Sequence, residues 1–303
     1  MTIVLTRCKI SIRIAEVPII NADTLQQLKS LYAEAFDDST EAREFFFARG
    51  FCAERCACIE ENGRVVSALY WLPRTLCVSG KRLKCGLIAA VATLKSERCK
   101  GYAARAMNAA LVRMRAAGLE IAVLYPDVKG YYERFGFVQI TNKKFPSADG
   151  ALSKQPGGLF AAKPWRPEAD GAVELNSAPA PTLLSLYNRR MAGADVYFER
   201  TIEDMRYKID ECLADGGEVY PVMRGDEPVG YFMKCAEIEE ACIPEQSELD
   251  NISQSGLVPC SLLPAACGHM FRLLDTGITD ARKIAELTKK TFAGKKILIL
   301  DRY

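Results

Sequence analysis

In the stretch VATLKSERCKGYAARAM, residues 91–107, Lys95, Arg98 and Lys100 crowd around Gly101 between an apolar run and an alanine-rich helical pattern. A strand-to-helix turn of this kind presents free backbone N–H groups and the positive end of a helix dipole. Gly101 lets the backbone approach a ligand where a Cβ would block it, and Ala103 and Ala104 keep the following turn slim. These features describe a site for a phosphate or pyrophosphate. No GxxxxGK[ST] occurs and no GxGxxG follows a strand, which argues against a P-loop or a dinucleotide fingerprint. The bland alternative is a glycine turn with surface lysines.

Further candidates lie downstream. LYPDVKGYYERFGF carries Tyr131 and Tyr132 beside Phe135 and Phe137, a group that reads equally as an aromatic wall packing a helix on a sheet. His269 is the sole histidine and is read as structural. Of the twelve cysteines, the compact cluster CAERCAC (Cys52, Cys56, Cys58) lacks CxxC spacing and is far from His269, so reduced, buried thiols are expected rather than a metal site.

Composition limits the partners. A 303-residue chain with 49% hydrophobic and 26% charged residues has material for a sizeable core and two average domains. A net charge of +2 gives no global reason to expect nucleic acid or an anionic membrane. The start, MTIVLTRCKISIRIAEV, is interrupted by Arg7, Lys9 and Arg13 and does not read as a signal peptide, and no apolar run is long enough for a span. The expected location is cytoplasmic.

The elements that must position these residues are expected as follows. A strand over 9–17 precedes a helix in NADTLQQLKSLYAEAF capped by Asn21 or Asp23, then a short helix in DSTEAREFFFARG started by Asp38. CAERCACIEENGRVVSALYWL reads as a hairpin turning at Asn62-Gly63. KRLKCGLIAAVATL is the strand entering the basic turn, AARAMNAALVRMRAAG the helix leaving it, LEIAVLYP a strand, VKGYYERFG a short helix and FVQITN a strand. Pro- and Gly-rich residues then read as a linker. Beyond it, helix, helix and hairpin echo the first half, with LLSLY resembling LKSLY, a degenerate internal repeat. The end, from GHMFRLLD to KILILDRY, reads as strand, helix, strand.

The basic stretch resembles the acetyl-CoA signature of the GNAT superfamily of N-acetyltransferases, V-x-T-x-x-x-x-R-x-x-G-x-A/G, with Val91, Thr93, Arg98, Gly101 and Ala103 at the matching positions. LYPDVKGYYERFGF resembles that superfamily's closing segment, and the resemblance covers roughly residues 9–140. EAFDDSTEAREFFFARGF, the second copy with LLSLYNRR, and HMFRLLD resemble the Eis-like (enhanced intracellular survival) branch, with too few residues left for that branch's full terminal domain.

This resemblance implies an α/β fold with a mixed sheet. A GNAT acetyltransferase domain would occupy 1–142, a linker 143–180, a degenerate GNAT-like repeat 181–243 and a short C-terminal αβ region 244–303. It implies acetyl-CoA as acyl donor, held as a pseudo-strand between splayed strands at 87–94 and 119–125, with no metal. Val91, Ala92 and Thr93 would hold the pantetheine. An N–H among them would support the oxyanion, a donor typically worth about 3–4 kcal/mol of barrier. Arg98, Cys99, Lys100, Gly101, Tyr102, Ala103 and Ala104 would hold the pyrophosphate, with Asp127 and Val128 also on the cofactor. Tyr132 stands at the family's general-acid position, Tyr131 being the fallback. The general base would be the C-terminal carboxylate of Tyr303, or else Asp37, Asp38, Glu44 or water. The acceptor would be an aminoglycoside-like or polyamine-like amine or a protein lysine, and a homo-oligomer is compatible. The alternative is a catalytically idle acyl-CoA-binding or interaction protein.

Overall fold

The computed structural model describes residues 20–128, 130–140, 160–162, 179–224, 227–235, 238–242, 268–274 and 276–300. The strand expected at 9–17, almost all of the linker, and Tyr303 lie outside the described residues.

Helix α1 (Ala22–Ala35) starts where the Asn21 side chain accepts from Thr24 N, 2.8 Å. Helix α2 (Thr40–Phe45) is capped by Ser39 rather than Asp38, because Asp38 instead accepts from the Tyr32 hydroxyl at 2.6 Å. A wide turn over Phe46–Gly50 follows. Strands β1 (Cys56–Glu61) and β2 (Arg64–Val78) form the expected hairpin, with Asn62 and Gly63 at positive φ of 52° and 75°. This is the mirror-image turn that suits the strands' twist.

Strand β3 (Lys81–Thr93) pairs with β2 along its length, and helix α3 (Tyr102–Ala116) leads to β4 (Ile121–Leu124), parallel to β3. The aromatic segment makes only a single helical turn over Glu133–Phe135, closed by Gly136, before β5 (Val138–Gln139). Its apolar residues Phe135 and Phe137 go into the core beneath α3 instead of onto a helix face.

Strand β6 (Phe160–Ala162) and helix α4 (Ala180–Met191) come next, then β7 (Val196–Glu199) and α5 (Ile202–Ala214). Thr201 and Asp204 cap each other's backbone N–H groups at the start of α5, the reciprocal arrangement of a capping box. Strands β8 (Glu218–Arg224), β9 (Glu227–Lys234) and β10 (Ile238–Cys242) complete a second sheet in the order β10-β9-β8-β6. Strand β11 (Met270–Leu273) and helix α6 (Ala281–Phe292) end the regular structure.

The first sheet runs β1-β2-β3-β4-β11-β5, with β7 paired to the far part of β2. The late strand β11 is thus antiparallel to β4 on one side and β5 on the other. Boundaries drawn from the sequence at 181–243 and 244–303 separate β7 and β11 from the sheet that holds them. The physical reason is burial: Phe198 and Phe271 are fully buried in one cluster with Leu76, Leu87 and Val123. The final strand expected in KILILDRY is reduced to a parallel bridge of Ile297 to Val196, after which Ile299 and Leu300 are buried.

Candidate functional site

The pairing of β3 with β4 stops at Ile88↔Leu124, whereas β3 continues beside β2 to Thr93. Over residues 89–93 the β4-facing edge of β3 therefore has no strand against it among the described residues. The divergence coincides with a bulge: opposite Ala68 and Tyr70 the register slips, and Ala90 takes a φ of 47°. A bulge re-aims backbone groups and ends pairing. Beyond it, Ser67 Oγ is fully buried, donates to Ala92 O at 2.8 Å and lies 2.9 Å from Thr93 Oγ1, fixing this end of β3.

The basic turn follows directly. Leu94 N donates to Val66 O at 3.0 Å and Lys95 N to Glu34 Oε1 at 2.7 Å, after which the chain enters α3 through Cys99 and Gly101 at φ of 64° and 84°. At Gly101 a Cβ would meet nothing within 4 Å, so the left-handed backbone itself is what calls for glycine. Among the described residues no side chain caps α3, and no acidic residue stands in its first turn, unlike α1 and α2. Arg98 Nε reaches Thr93 O at 3.4 Å, and Lys100 is paired with Glu97 at 2.9 Å, which raises the ammonium pKa through that hydrogen bond. Arg98, Cys99, Lys100 and Gly101 are exposed, while Tyr102, Ala103 and Ala104 are half-buried. Such an end can hold an anionic group on free N–H donors with cations at its rim.

Val91, Ala104, Tyr131 and Tyr132 all meet in the core cluster between α3 and the sheet. Tyr132 is 7% exposed, its ring centroid 5.1 Å from that of Tyr131. Its phenol is pushed up to about 12, by burial first and then by Tyr131 and Asp127. Asp127 and Val128 lie exposed on the loop after β4. Tyr132 is thus a proton-bearing phenol near neutral pH, able to donate. His269 is fully buried edge-on to Tyr125, ring centroids 5.5 Å apart. Among the described residues, no group of three or more His, Cys, Asp or Glu is arranged to hold a metal.

A cavity of about 270 Å³ opens against Ala89 and Ala90, at the point of divergence. Its walls bring Tyr32, Asp38 and Phe46 from the first half together with Lys208, Glu211, Cys212, Asp215, Met233 and Cys235 from the second. Three carboxylates face one ammonium here, and Lys208 is paired with Glu211 at 2.9 Å. Of the carboxylates proposed from sequence, Asp38 lines the cavity, whereas Glu44 is spent on Lys29 at 3.0 Å. The sequence carried no signal for the Ala89–Ala90 bulge or for the contribution of α5, since two alanines in a strand and charges on an amphipathic helix are both ordinary.

With this geometry in place, the comparisons with known proteins identify the class. Residues 16–140 match the family model described as acetyltransferase (GNAT) domain. A GCN5-related N-acetyltransferase from Anabaena variabilis shares the fold at a TM-score of 0.55 and 17% identity, over 84% of this chain and 71% of that one. A probable N-acyltransferase from Enterococcus faecalis matches at 0.57 and 15%, over 84% and 71%. Eis1 from Mycobacterium abscessus matches at 0.51 and 14%, over 87% and 68%. No curated protein matches by sequence. Residues 16–140 thus carry the match to an acetyltransferase (GNAT) domain, and these solved structures share the fold. No helix among the described residues is long and apolar enough to cross a membrane.

Proposed function

We propose that this chain transfers an acetyl group from acetyl-CoA directly to an amine, in the manner of the Eis-like branch. The observation that carries the reading is the divergence of β3 from β4 at Ile88, flanked by the uncapped start of α3 on one side and the acid-lined cavity on the other. The residues present fit the donor. The open edge of Val91, Ala92 and Thr93 offers strand-like hydrogen bonds to a pantetheine arm, and the turn from Arg98 to Ala104 offers N–H groups and cations to a pyrophosphate. Bound there, acetyl-CoA supplies the acyl group as a thioester.

Tyr132 is the proton donor to the departing sulfur, and its raised pKa keeps the phenol charged with its proton through the working range. Asp38, held by Tyr32 beside Ala89 and Ala90, is the described carboxylate best placed to receive the amine's proton, and Tyr303 remains the alternative base outside the described residues. Holding both substrates across one bulge supplies much of the acceleration. The excess of carboxylates in the cavity favours a cationic small-molecule amine, of aminoglycoside or polyamine type, over a flat protein surface.

The test is a calorimetric titration with acetyl-CoA, with ATP and NAD as controls, followed by an amine screen read by mass spectrometry. Saturable binding of acetyl-CoA alone with an acetylated amine product is expected. Binding without turnover on any cationic amine would turn the assignment to an idle acyl-CoA-binding protein.

A further inference from the structure

In the wall of the same cavity, Cys212 on α5 and Cys235 just beyond β9 place their Sγ atoms 3.7 Å apart. The geometry points to a reversible disulfide between Cys212 and Cys235 that controls entry of the acceptor. Neither is in a disulfide here, and the Cys235 thiol also reaches Cys212 O at 3.7 Å. The space is shaped around the two sulfurs: a Cβ on Gly217 would lie 2.6 Å from Cys235 Sγ and 2.7 Å from Cys212 Sγ. Any larger residue there would drive the pair apart.

Their surroundings allow closure. A disulfide needs the sulfurs at about 2 Å, a shift that rotation of two side chains supplies when the backbone at either end can adjust. Cys212 sits in the last turn of α5 and Cys235 follows the end of β9, so neither is clamped within a continuous ladder. Cys56 and Cys58 make the contrasting case. Their thiols also hydrogen-bond, but both are pinned in β1 opposite Tyr70 and Ala68, two residues apart on one strand. That spacing of about 6.6 Å lies at the long end of the disulfide range, and the strand cannot yield to shorten it.

The chemistry balances with a peroxide as oxidant. Cys235, the less buried of the two, attacks one peroxide oxygen as thiolate; the O–O bond breaks, a sulfenic acid forms and water leaves with the thiol's proton. Cys212 then attacks that sulfur as thiolate, the S–S bond forms, and the displaced hydroxide takes the second thiol's proton as water. Two thiols and one hydrogen peroxide become one disulfide and two waters. An external thiol reverses the step. Closing the bond draws the end of α5, with Glu211 and Asp215 beside it, toward the strand wall and so reshapes the acidic side of the cavity.

The test uses the full chain, reduced and desalted, then exposed to graded hydrogen peroxide, alkylated and digested without reductant. Mass spectrometry is expected to find Cys212 linked to Cys235 as the first disulfide to form, lighter by two hydrogen atoms, lost in both Cys212→Ser and Cys235→Ser, and reversed by dithiothreitol. Recovery of the two as separately alkylated thiols while other cysteines oxidise, or a Cys56–Cys58 link in their place, overturns the proposal. The control of acceptor entry rests on the cavity being the acceptor site. Oxidised protein is expected to bind acetyl-CoA unchanged while the KM for the amine rises roughly tenfold, because the carboxylates of Glu211 and Asp215 that attract a cationic amine are shifted. An unchanged KM in crosslinked protein overturns the control of entry. Absence of turnover in both redox forms counts against the proposed function instead, since the crosslink is read without it.

Discussion

Replacing Tyr132 by Phe removes one oxygen from a packed ring and leaves the cluster under α3 filled, so a loss of activity reports on the proton rather than the fold. The variant is expected to keep its affinity for acetyl-CoA and to lose at least about 100-fold in kcat, the usual scale of a positioned acid. The sign of its pH dependence follows from a phenol pKa raised from 10 to about 12. The folded phenol keeps its proton where the unfolded one begins to lose it. Its contribution to stability is therefore fully present below about pH 10 and lost as the pH climbs through about 12. A kcat profile in which the wild type holds its rate past pH 10 checks this, and a limb falling near pH 8 contradicts it. Asp38→Asn is expected to lower kcat about 100-fold, as the loss of a positioned base does, while the acetyl-CoA affinity holds. Steady-state kinetics separates the two substrates. The basic turn and Tyr132 were visible in the sequence because their residue types and spacing are unusual. Cavity-lining Glu211 and Asp215 were not, because their neighbours across the cavity are more than a hundred residues away in the chain.

The bulge in β3 is the element on which the open edge depends. Ala90 holds a φ of 47°, a region that costs a β-branched residue far more than alanine or glycine. Ala90→Val is expected to destabilise the protein by about 1–3 kcal/mol, read as a fall in Tm, and to weaken acetyl-CoA binding as β3 straightens. Nearby, Arg113 lies over the Trp71 ring and donates to the carbonyls of Cys56 and Glu54, joining α3 to the start of β1. Arg113→Met keeps most of the packing but leaves those carbonyls bare, at a cost of about 2–3 kcal/mol in denaturant unfolding. The hairpin at Asn62-Gly63, α1, α3 and the run of β3 follow their local sequence closely, through the turn residues, the Asn21 cap and the helical periodicity. The segment around Tyr132 does not. Its aromatic residues face a core that only the neighbouring elements define, and periodicity over nine residues could not tell a short helix from a single turn.

At the scale of the molecule, two sheets share one chain that crosses between them more than once. Strand β7 leaves the second half to pair with β2, and β11 enters the first sheet between β4 and β5. The second sheet has its own buried lock. Arg200 holds Glu240 through two contacts of 2.6 Å, stacks on the Tyr187 ring, and shares Glu240 with the Tyr231 hydroxyl. Glu240→Ala removes both of those contacts from a buried arginine and is expected to cost about 3–5 kcal/mol, read in thermal melts. The echo of LKSLY in LLSLY pointed to a repeat, but no repeat of short motifs can say which strands join which sheet. The exchange of strands could not be read there, because strand pairing at such separations is decided by which apolar faces remain uncovered when the pieces meet.

The position of β11 has a consequence for the order in which the protein comes into being. On the ribosome, β1 to β5 emerge early, yet the place between β4 and β5 stays vacant until Met270–Leu273 has been made, more than 130 residues later. At a synthesis rate of about 5–20 residues per second, the nascent sheet waits on the order of ten seconds with that gap open. Strand edges left unpaired for such a time invite the wrong neighbours. The sheet that holds β4 and β5, translated well before β11, is therefore among the last parts to close, and the protein's yield in the cell is expected to depend on chaperones that shelter β4 and β5 during the delay.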